Sequence, residues 1–306
     1  MPFITDHGLQ IYYREERPPR RASSQGIAGP RALLFIPGDT ASSACLTAEL
    51  RYFGHRYRSL ALDPPGTGRS QRLGVWPADW WSLAASAATS LMEQLELAPS
   101  VIVGSGDGSL TALLMAAEQP HLVCGVVADS CPPALSASDL MTGAAARRRV
   151  LGTWRADEER SLCAARPWGR WRPRMERWSR SSFWRRAHGR DWRAVVAADA
   201  DLRERLARGG GLDLLGGNVA ELGCPILLTG SIEDDQLAEL GPRLETVARR
   251  MPRAQLFLWP EGGHPLMWTA PTAFRRAVDD FLTDVCDALS GTHPAAPAAG
   301  DALDLR

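Results

Sequence analysis

Short apolar runs alternate with longer helical stretches along most of the chain. The runs are RALLFIPG, YRSLALDPPG, SVIVG, LVCGVVADS, CPILLTGS and AQLFLWPEGG. Helices are predicted at about residues 78–97, 108–119, 237–250 and 271–289. Strands that are apolar throughout and are separated by helices form a parallel sheet covered on both faces. The pattern therefore predicts an α/β fold with a mostly parallel central sheet.

The alternation begins after an N-terminal segment of a different kind and is interrupted once. The opening PFITDHGLQIYYRE has β-rich runs on both sides of a turn, which predicts a hairpin. Residues 132–223 are rich in Arg and Trp and predict an inserted helical lid. The core then comprises residues 1–131 and 224–289, and the Pro/Ala-rich tail 290–306 is predicted to be disordered.

Composition narrows the classes of partner. The chain has 35 basic and 35 acidic residues, so charge gives no argument for a nucleic-acid or membrane-surface partner. The six cysteines have neither CxxC spacing nor the density of a disulfide scaffold, and no signal peptide or membrane span is apparent. We expect a cytoplasmic enzyme of a small molecule, without cofactor or metal; a homodimer is left open.

The segment SVIVGSGDGSLTALL reads as a strand, a sharp turn and a helix. Such a turn needs small residues two positions before and two positions after its central residue, so that strand and helix can approach. Centring it on Gly106 places Gly104 and Gly108 at those positions. The segment resembles the nucleophile elbow of α/β hydrolases, with glycine where that family usually has serine.

Two other registers are weighed. A centre at Asp107 would resemble the aspartate nucleophile of haloalkane dehalogenases and epoxide hydrolases, but it places bulky Leu110 against the strand. A centre at Ser105 would place Val103 and Asp107 at the small positions and fits poorly. Gly106 is therefore the preferred centre, and the Asp107 register stays an alternative.

The resemblance to α/β hydrolases extends over residues 3–289 apart from the lid. LLFIPGD matches the strand and oxyanion loop, and DPPGTGRS matches a turn motif of the family. The resemblance implies an oxyanion hole formed by the backbone N–H groups of Asp39 and Asp107. Both side chains are acidic. Either both face solvent or make turn hydrogen bonds, or one of them serves as a general acid/base or as an anchor for a substrate hydroxyl or amine.

The resemblance also implies a catalytic histidine and an orienting acid. Only His264 lies just past the end of a strand, in WPEGGHPLMW, at the family's position for the histidine. It is predicted to be a base that acts from the neutral imidazole. The acid follows LLTGS, where Asp234 is preferred over Glu233, and Asp235 is a candidate helix N-cap.

Aromatic residues are expected to contact the substrate. The predicted lid is rich in Trp interleaved with Arg, and Trp residues there pack its helices or line the pocket beneath it. The predicted substrate contacts are Trp154, Trp168, Trp184, Trp268 and Cys131. They favour an aromatic or polycyclic substrate.

Because glycine cannot form an acyl-enzyme, the two-step serine mechanism is excluded at position 106. The sequence predicts a non-covalent enzyme with a His–Asp base, in the biosynthesis of an aromatic natural product. Three alternatives stay open. They are a catalytically inactive binding protein, a hydrolase with an Asp107 nucleophile, and a serine hydrolase into which Gly106 was introduced.

Overall fold

The computed structural model describes residues 2–19, 29–153 and 182–291. Within these ranges the strands are β1 (Phe3–Asp6), β2 (Leu9–Glu16), β3 (Leu33–Ile36), β4 (Ser59–Leu62), β5 (Ser100–Ser105), β6 (Val123–Asp129), β7 (Ala134–Ser136), β8 (Gly211–Asp213), β9 (Ile226–Ser231) and β10 (Ala254–Trp259). The helices are α1 (Thr47–Gly54), α2 (Trp80–Gln94), α3 (Gly108–Glu118), α4 (Ala137–Thr153), α5 (Trp192–Arg208), α6 (Leu240–Ala248), α7 (Leu266–Thr269) and α8 (Pro271–Ser290). Residues 182–188 are also helical.

The central sheet has the strand order β1-β2-β4-β3-β5-β6-β9-β10. The pair β1/β2 is an antiparallel hairpin, as predicted, and β2 also pairs antiparallel with β4. The pairs from β4 to β10 are parallel. The prediction of a mostly parallel sheet is confirmed, and the carboxyl ends of its central strands share one edge.

Both faces of the sheet are buried. On β5, Ile102 points to one face with the apolar sides of α2 and α3, while Val101 and Val103 point to the face covered by α1 and α8. Each fully buried aliphatic side chain contributes about 1.5–3 kcal/mol. The continuous apolar runs of the central strands follow from this double covering.

The inserted segment, residues 132–223, lies between β6 and β9. Its described parts contain α4 and α5, which pack against each other, and the small antiparallel sheet β7/β8. Residues 154–181 and most of the predicted tail lie outside the described residues. The division into core, lid and tail stays a prediction. In the described ranges no helix combines the length and apolarity that a membrane crossing requires.

Candidate active site

Gly106 forms the apex of the turn between β5 and α3, with a φ of 53°. A Cβ built on Gly104 would overlap the backbone of Ser109, and one built on Gly108 would overlap the carbonyl oxygen of Ile36. Strand and helix can approach this closely only because small residues flank the apex. This is the geometry that the register centred on Gly106 requires.

The serines beside the apex are turned into the protein. Ser109 is buried and its hydroxyl donates to the carbonyl oxygen of Gly104 at 3.1 Å. Ser105 is also buried, and its Oγ has no hydrogen-bond partner among the described residues. Neither lines the cavity above the elbow. The geometry therefore gives no support to the register centred on Ser105.

His264, in the loop between β10 and α7, meets Asp234 from the loop after β9. The distance from its Nδ1 to Asp234 Oδ2 is 2.8 Å. The other oxygen, Asp234 Oδ1, accepts hydrogen bonds from the backbone N–H groups of Gln236 at 2.9 Å and Leu237 at 2.8 Å. These two bonds hold the carboxylate against the ring.

Glu233 and Asp235, on either side of Asp234, have different surroundings. Glu233 is exposed, and its backbone N–H donates to Ser231 Oγ at 3.1 Å. The expectation that Asp235 caps a helix is wrong, because α6 begins after Glu239. Instead, Asp235 Oδ1 accepts from the backbone N–H of His264 at 3.1 Å. Of the three acids, Asp234 thus contacts the imidazole ring, Asp235 accepts a hydrogen bond from the backbone of the histidine loop, and Glu233 has an exposed side chain.

The other ring nitrogen of His264 meets the side chain of Asp39, from the loop after β3. The distance from His264 Nε2 to Asp39 Oδ2 is 3.0 Å. A Cβ built on Gly106 would overlap this same oxygen. The Asp39 carboxylate therefore occupies the volume into which a serine at position 106 would project.

One of the two N–H donors predicted for the oxyanion hole, that of Asp39, is already bonded within the protein. The backbone N–H of Asp39 donates to Asp107 Oδ1 at 2.6 Å, so this donor is occupied by a protein carboxylate. The other oxygen, Asp107 Oδ2, is paired with Arg203 of α5. Within the described part of the chain, the ring nitrogens of His264 contact Asp234 and Asp39 and not Asp107, so an Asp107 nucleophile would lack contact with its base.

Behind Asp107 lies a buried cluster of charges that the sequence analysis missed. Arg203 donates to Asp199 one turn earlier on α5, at 3.0 and 3.2 Å, and Arg147 of α4 is paired with the same carboxylate. Thr40 donates to Asp199 Oδ2 at 2.7 Å. The one available signal was the spacing of Asp199 and Arg203, which places opposite charges on one helix face.

The charges around His264 determine its protonation. Burial alone would lower the pKa of His264, but the charge of Asp39 and the hydrogen bonds that the ring donates to Asp234 and Asp39 raise it well above its ordinary value. Burial would raise the pKa of Asp39, but the charge and hydrogen bond of His264, with the charges of Arg147 and Arg203, lower it to about 2. Both pKa shifts favour an imidazolium paired with a carboxylate.

Burial has the opposite consequence for two other groups at the site. It raises the pKa of Asp107 above its ordinary value, although the charge of Arg203 acts against it. It also raises the pKa of the Cys131 thiol far above its usual range. Cys131 is therefore a thiol at neutral pH, which argues against its use as a replacement nucleophile.

A cavity of about 340 Å³ opens above these residues. Apolar side chains, including Leu135, Leu237 and Cys131, form part of its wall, and charged side chains from the core and from α4 and α5 form the rest. Among the described residues, no group of three or more His, Cys, Asp or Glu is arranged to hold a metal ion.

The two described tryptophans among the predicted substrate contacts lie outside the cavity wall. Trp184 is buried against Trp192, and its Nε1 lies 3.5 Å from the carbonyl oxygen of Asp39. Trp268 packs against Phe183. Neither Trp184 nor Trp268 is part of the described cavity wall, and their role as substrate contacts stays a prediction. Trp154 and Trp168 lie outside the described residues.

A second buried acid, also missed, supports the histidine loop. Asp129, at the end of β6, accepts from the backbone N–H of Met267 at 3.0 Å and from the hydroxyls of Thr229 at 2.8 Å and Ser130 at 3.0 Å. Burial raises its pKa to about 6. Its bond to Met267 ties the segment after His264 to the sheet.

Fold and site together define the class of protein. The alpha/beta hydrolase family matches residues 33–277, and the chain belongs to this family. Human serine hydrolase BPHL is 28% identical over 123 residues, which is 39% of this chain and 39% of that protein. The match therefore spans less than half of that relative.

Solved structures of similar fold cover nearly the whole chain. A thermophilic esterase from Thermogutta terrifontis superposes with a TM-score of 0.65 at 18% identity, covering 93% of this chain and 97% of the esterase. The enol-lactonase from Burkholderia xenovorans gives 0.65 at 18% identity, with coverage of 92% and 100%. At such identities the likeness shows the α/β-hydrolase fold.

Proposed function

We propose that this chain is an enzyme of the α/β-hydrolase family that transforms a small molecule without a serine acyl-enzyme. The observation that supports this most directly is the contact of His264 with carboxylates on both of its ring nitrogens, at 2.8 and 3.0 Å. Asp234 orients the ring, and Asp39 and His264 both line the cavity. A base, its orienting acid and a substrate-facing carboxylate are the components of proton-transfer catalysis.

The proposed starting state is an imidazolium rather than the neutral base expected from the sequence. Both ring nitrogens face carboxylate oxygens, so a hydrogen bond on each side requires both nitrogens to carry protons. The raised pKa of His264 has the same cause. His264 then acts first as a general acid, and it becomes a base only after it has given up a proton.

The proposed substrate is compact and carries polar groups. A cavity of about 340 Å³ is at the small end of ligand pockets. Its wall pairs an apolar side near Leu135 and Leu237 with the charged side chains of Asp39 and Arg203. The described cavity wall does not favour a polycyclic substrate. Trp154 and Trp168, which lie outside the described residues, are the predicted contacts that would favour an aromatic one.

A second candidate is a ligand-binding protein without catalysis. The observation that favours it is the hydrogen bond from the Asp39 N–H to Asp107 Oδ1, because serine hydrolases use that donor to stabilise an oxyanion. An enzyme of this chain must stabilise developing charge in another way. The charges of Arg147 and Arg203, which already act on Asp39, are available for this.

Turnover measured with a panel of small electrophiles separates the two candidates. The panel consists of 4-nitrophenyl acetate, γ-butyrolactone and styrene oxide, each assayed with the wild type and with His264→Gln. Catalysis predicts turnover of at least one compound that is lost in the variant. If no compound is turned over in excess of the variant, the proposed enzyme is rejected in favour of the binding protein.

A further inference from the structure

Asp39 and the absence of a side chain at position 106 depend on each other. A Cβ on Gly106 would overlap Asp39 Oδ2, so the carboxylate can contact His264 only when residue 106 is glycine. The glycine that removes the family's nucleophile therefore admits another acid to the same place.

The two oxygens of Asp39 have different surroundings. Oδ2 faces His264, whereas Oδ1 has no hydrogen-bond partner among the described residues. The side chain of Asp39 is 18% exposed and that of His264 only 3%. Both residues line the cavity, and Asp39 presents the more exposed side chain to a substrate there.

The loop that carries Asp39 is held in a strained conformation. Asp39 and Thr40 have φ values of 55° and 57°, which non-glycine residues rarely adopt. The loop is fixed by Asp107 on the Asp39 N–H and by His188, whose Nε2 donates to the Thr40 carbonyl oxygen at 2.8 Å. Gly68 donates to Nδ1 of the same ring, which sets its tautomer. Such strain persists where the surroundings over-determine the backbone, and functional sites are the usual case.

Building on the proposed function, we propose that Asp39 is the nucleophile of this enzyme: Oδ1 attacks a saturated carbon that bears an oxygen leaving group, and an aspartyl ester forms. The simplest such substrate is an epoxide. Attack on an ester carbonyl would instead produce a mixed anhydride and would need an oxyanion hole, whose place Asp107 already fills. Displacement at a saturated carbon has no tetrahedral oxyanion to stabilise in this step.

The charge state of Asp39 favours a nucleophile over a base. With a pKa lowered to about 2 by its surroundings, the carboxylate is fully ionised at neutral pH but is a weak proton acceptor. General bases work best when their pKa lies near the working pH. Ionised carboxylates are established covalent nucleophiles in other enzymes.

His264 donates a proton in the first step and accepts one in the second. In the first, the new bond joins Asp39 Oδ1 to the epoxide carbon, the ring C–O bond breaks, and the imidazolium Nε2 proton goes to the leaving oxygen. In the second, neutral His264 takes a proton from water, the hydroxide adds to the ester carbonyl carbon of Asp39, and the acyl C–O bond breaks. The departing alkoxide takes the proton of the newly formed Asp39 carboxylic acid, which restores the carboxylate and releases a diol, while His264 stays an imidazolium.

Ester formation itself changes His264 from acid to base. The charge of Asp39 is the strongest influence that raises the pKa of His264. The ester is uncharged, so this influence disappears when the first step is complete and the imidazole can stay neutral. Arg147 and Arg203, which line the same cavity as Asp39, would stabilise the oxyanion of the second step.

A single turnover of styrene oxide in ¹⁸O-water, with wild-type enzyme in excess, tests the proposal. The first water attacks the ester of Asp39, so one ¹⁸O atom enters the tryptic peptide 32–51 and the diol stays unlabelled. Label in the diol alone would show that Asp39 activates water, which overturns the inference but leaves the proposed function intact. Label in peptide 73–147 would move the nucleophile to Asp107 and also overturns it.

Failure to turn over styrene oxide is also informative. If other compounds of the panel are turned over in a His264-dependent manner, the proposed substrate class is wrong while the proposed function stands. If none is turned over, the proposed function itself is rejected, and this inference with it. The two failures are therefore distinguishable.

Variants provide an independent readout. Asp39→Asn keeps the volume and should lose roughly a thousandfold or more of styrene oxide turnover, as expected when a nucleophile is removed. Gly106→Ala should also lose activity because it displaces Asp39, while Gly74→Ala, with nothing near its added methyl, should retain it. Full activity in a folded Gly106→Ala, verified by circular dichroism, would contradict the dependence of Asp39 on the glycine.

Discussion

The two halves of the candidate site differ in how closely they match the arrangement expected of a serine hydrolase. The half formed after the inserted segment contains His264 and Asp234 in direct contact at 2.8 Å. The half formed before it contains Gly106 without a side chain and Asp39 in the vacated volume. Proton-transfer groups can serve many reactions, whereas a nucleophile and its oxyanion hole suit few. The half with Gly106 and Asp39, which would determine the reaction, is the half that differs from the serine-hydrolase arrangement.

The halves also differ in how their charges are compensated. Asp234 is held by backbone N–H groups and by His264 within its own part of the chain. Asp107, in the other half, instead depends on the guanidinium group of Arg203 from α5, in the inserted segment. The rebuilt half is therefore tied to the insertion, and changes there should disturb both stability and the site.

The largest effect should come from removing the group that the two halves share. His264→Gln should reduce turnover of the best panel substrate by about two to four orders of magnitude, because proton transfer is lost. Affinity for the substrate should change little, because only 3% of the ring is exposed. Steady-state kinetics measure this, and Arg148→Gln, at a surface ion pair, is the control. Unchanged turnover in the variant would remove the proton-transfer role.

The next effect concerns the dependence of the rebuilt half on the insertion. Arg203→Gln leaves the buried Asp107 carboxylate without its partner and should lower the free energy of unfolding by about 3–5 kcal/mol. Arg148→Gln breaks only exposed ion pairs and should cost about 0–1 kcal/mol. Urea titrations of both variants measure the difference. Equal midpoints would mean that the buried cluster does not contribute as its burial implies.

Much of the fold and one half of the site could be predicted from the sequence. Apolar runs separated by helices indicate the parallel sheet, and small residues at 104 and 108 locate the elbow. The position of His264 just past a strand was enough to predict its pairing with Asp234, without knowledge of the loop conformations. These signals are local in the chain, so periodicity and spacing suffice to find them.

The other half could not be predicted, because its contacts join distant parts of the chain. Arg203 meets Asp107 across 96 residues, and Asp39 meets His264 across 225 residues. The direction of the Asp39 side chain depends on a positive φ that no residue type there announces. The sequence showed that Asp39 and Asp107 were acidic and unusual, but not that one faces His264 and the other fills the oxyanion site.

A smaller effect, measured without any substrate, is the titration of His264. A raised pKa means that the stability from its ion pairs is fully present below about pH 6.5 and is lost as pH rises through the folded pKa. Activity that needs the imidazolium should fall in the same direction, opposite to the fall on acidification expected for a neutral base. The ring ¹⁵N shifts should therefore show a protonated His264 at pH 7.

Two comparisons sharpen this titration. Asp39→Asn removes the main influence that raises the pKa, so the midpoint of His264 should move to lower pH. His188, whose pKa burial lowers to about 4, should stay neutral throughout and serves as an internal reference. A wild-type His264 that is already neutral at pH 6.5 would return the site to the neutral-base interpretation.

The smallest expected effect is the absence of a gain. Gly106→Ser restores a serine to the elbow beside His264 and Asp234, and on sequence grounds alone it should recreate a reactive triad. The structure predicts otherwise, because the new Cβ would overlap Asp39 Oδ2 and the N–H expected to stabilise an oxyanion is bonded to Asp107. The single variant should react with a fluorophosphonate no faster than the wild type. Gly106→Ser combined with Asp39→Gly clears that volume and suits the positive φ of residue 39, so labelling at position 106, mapped by mass spectrometry, should appear in the double variant. Rapid labelling of the single variant would mean that Asp39 yields its place easily, and that the two halves of the site are less interdependent than their contacts indicate.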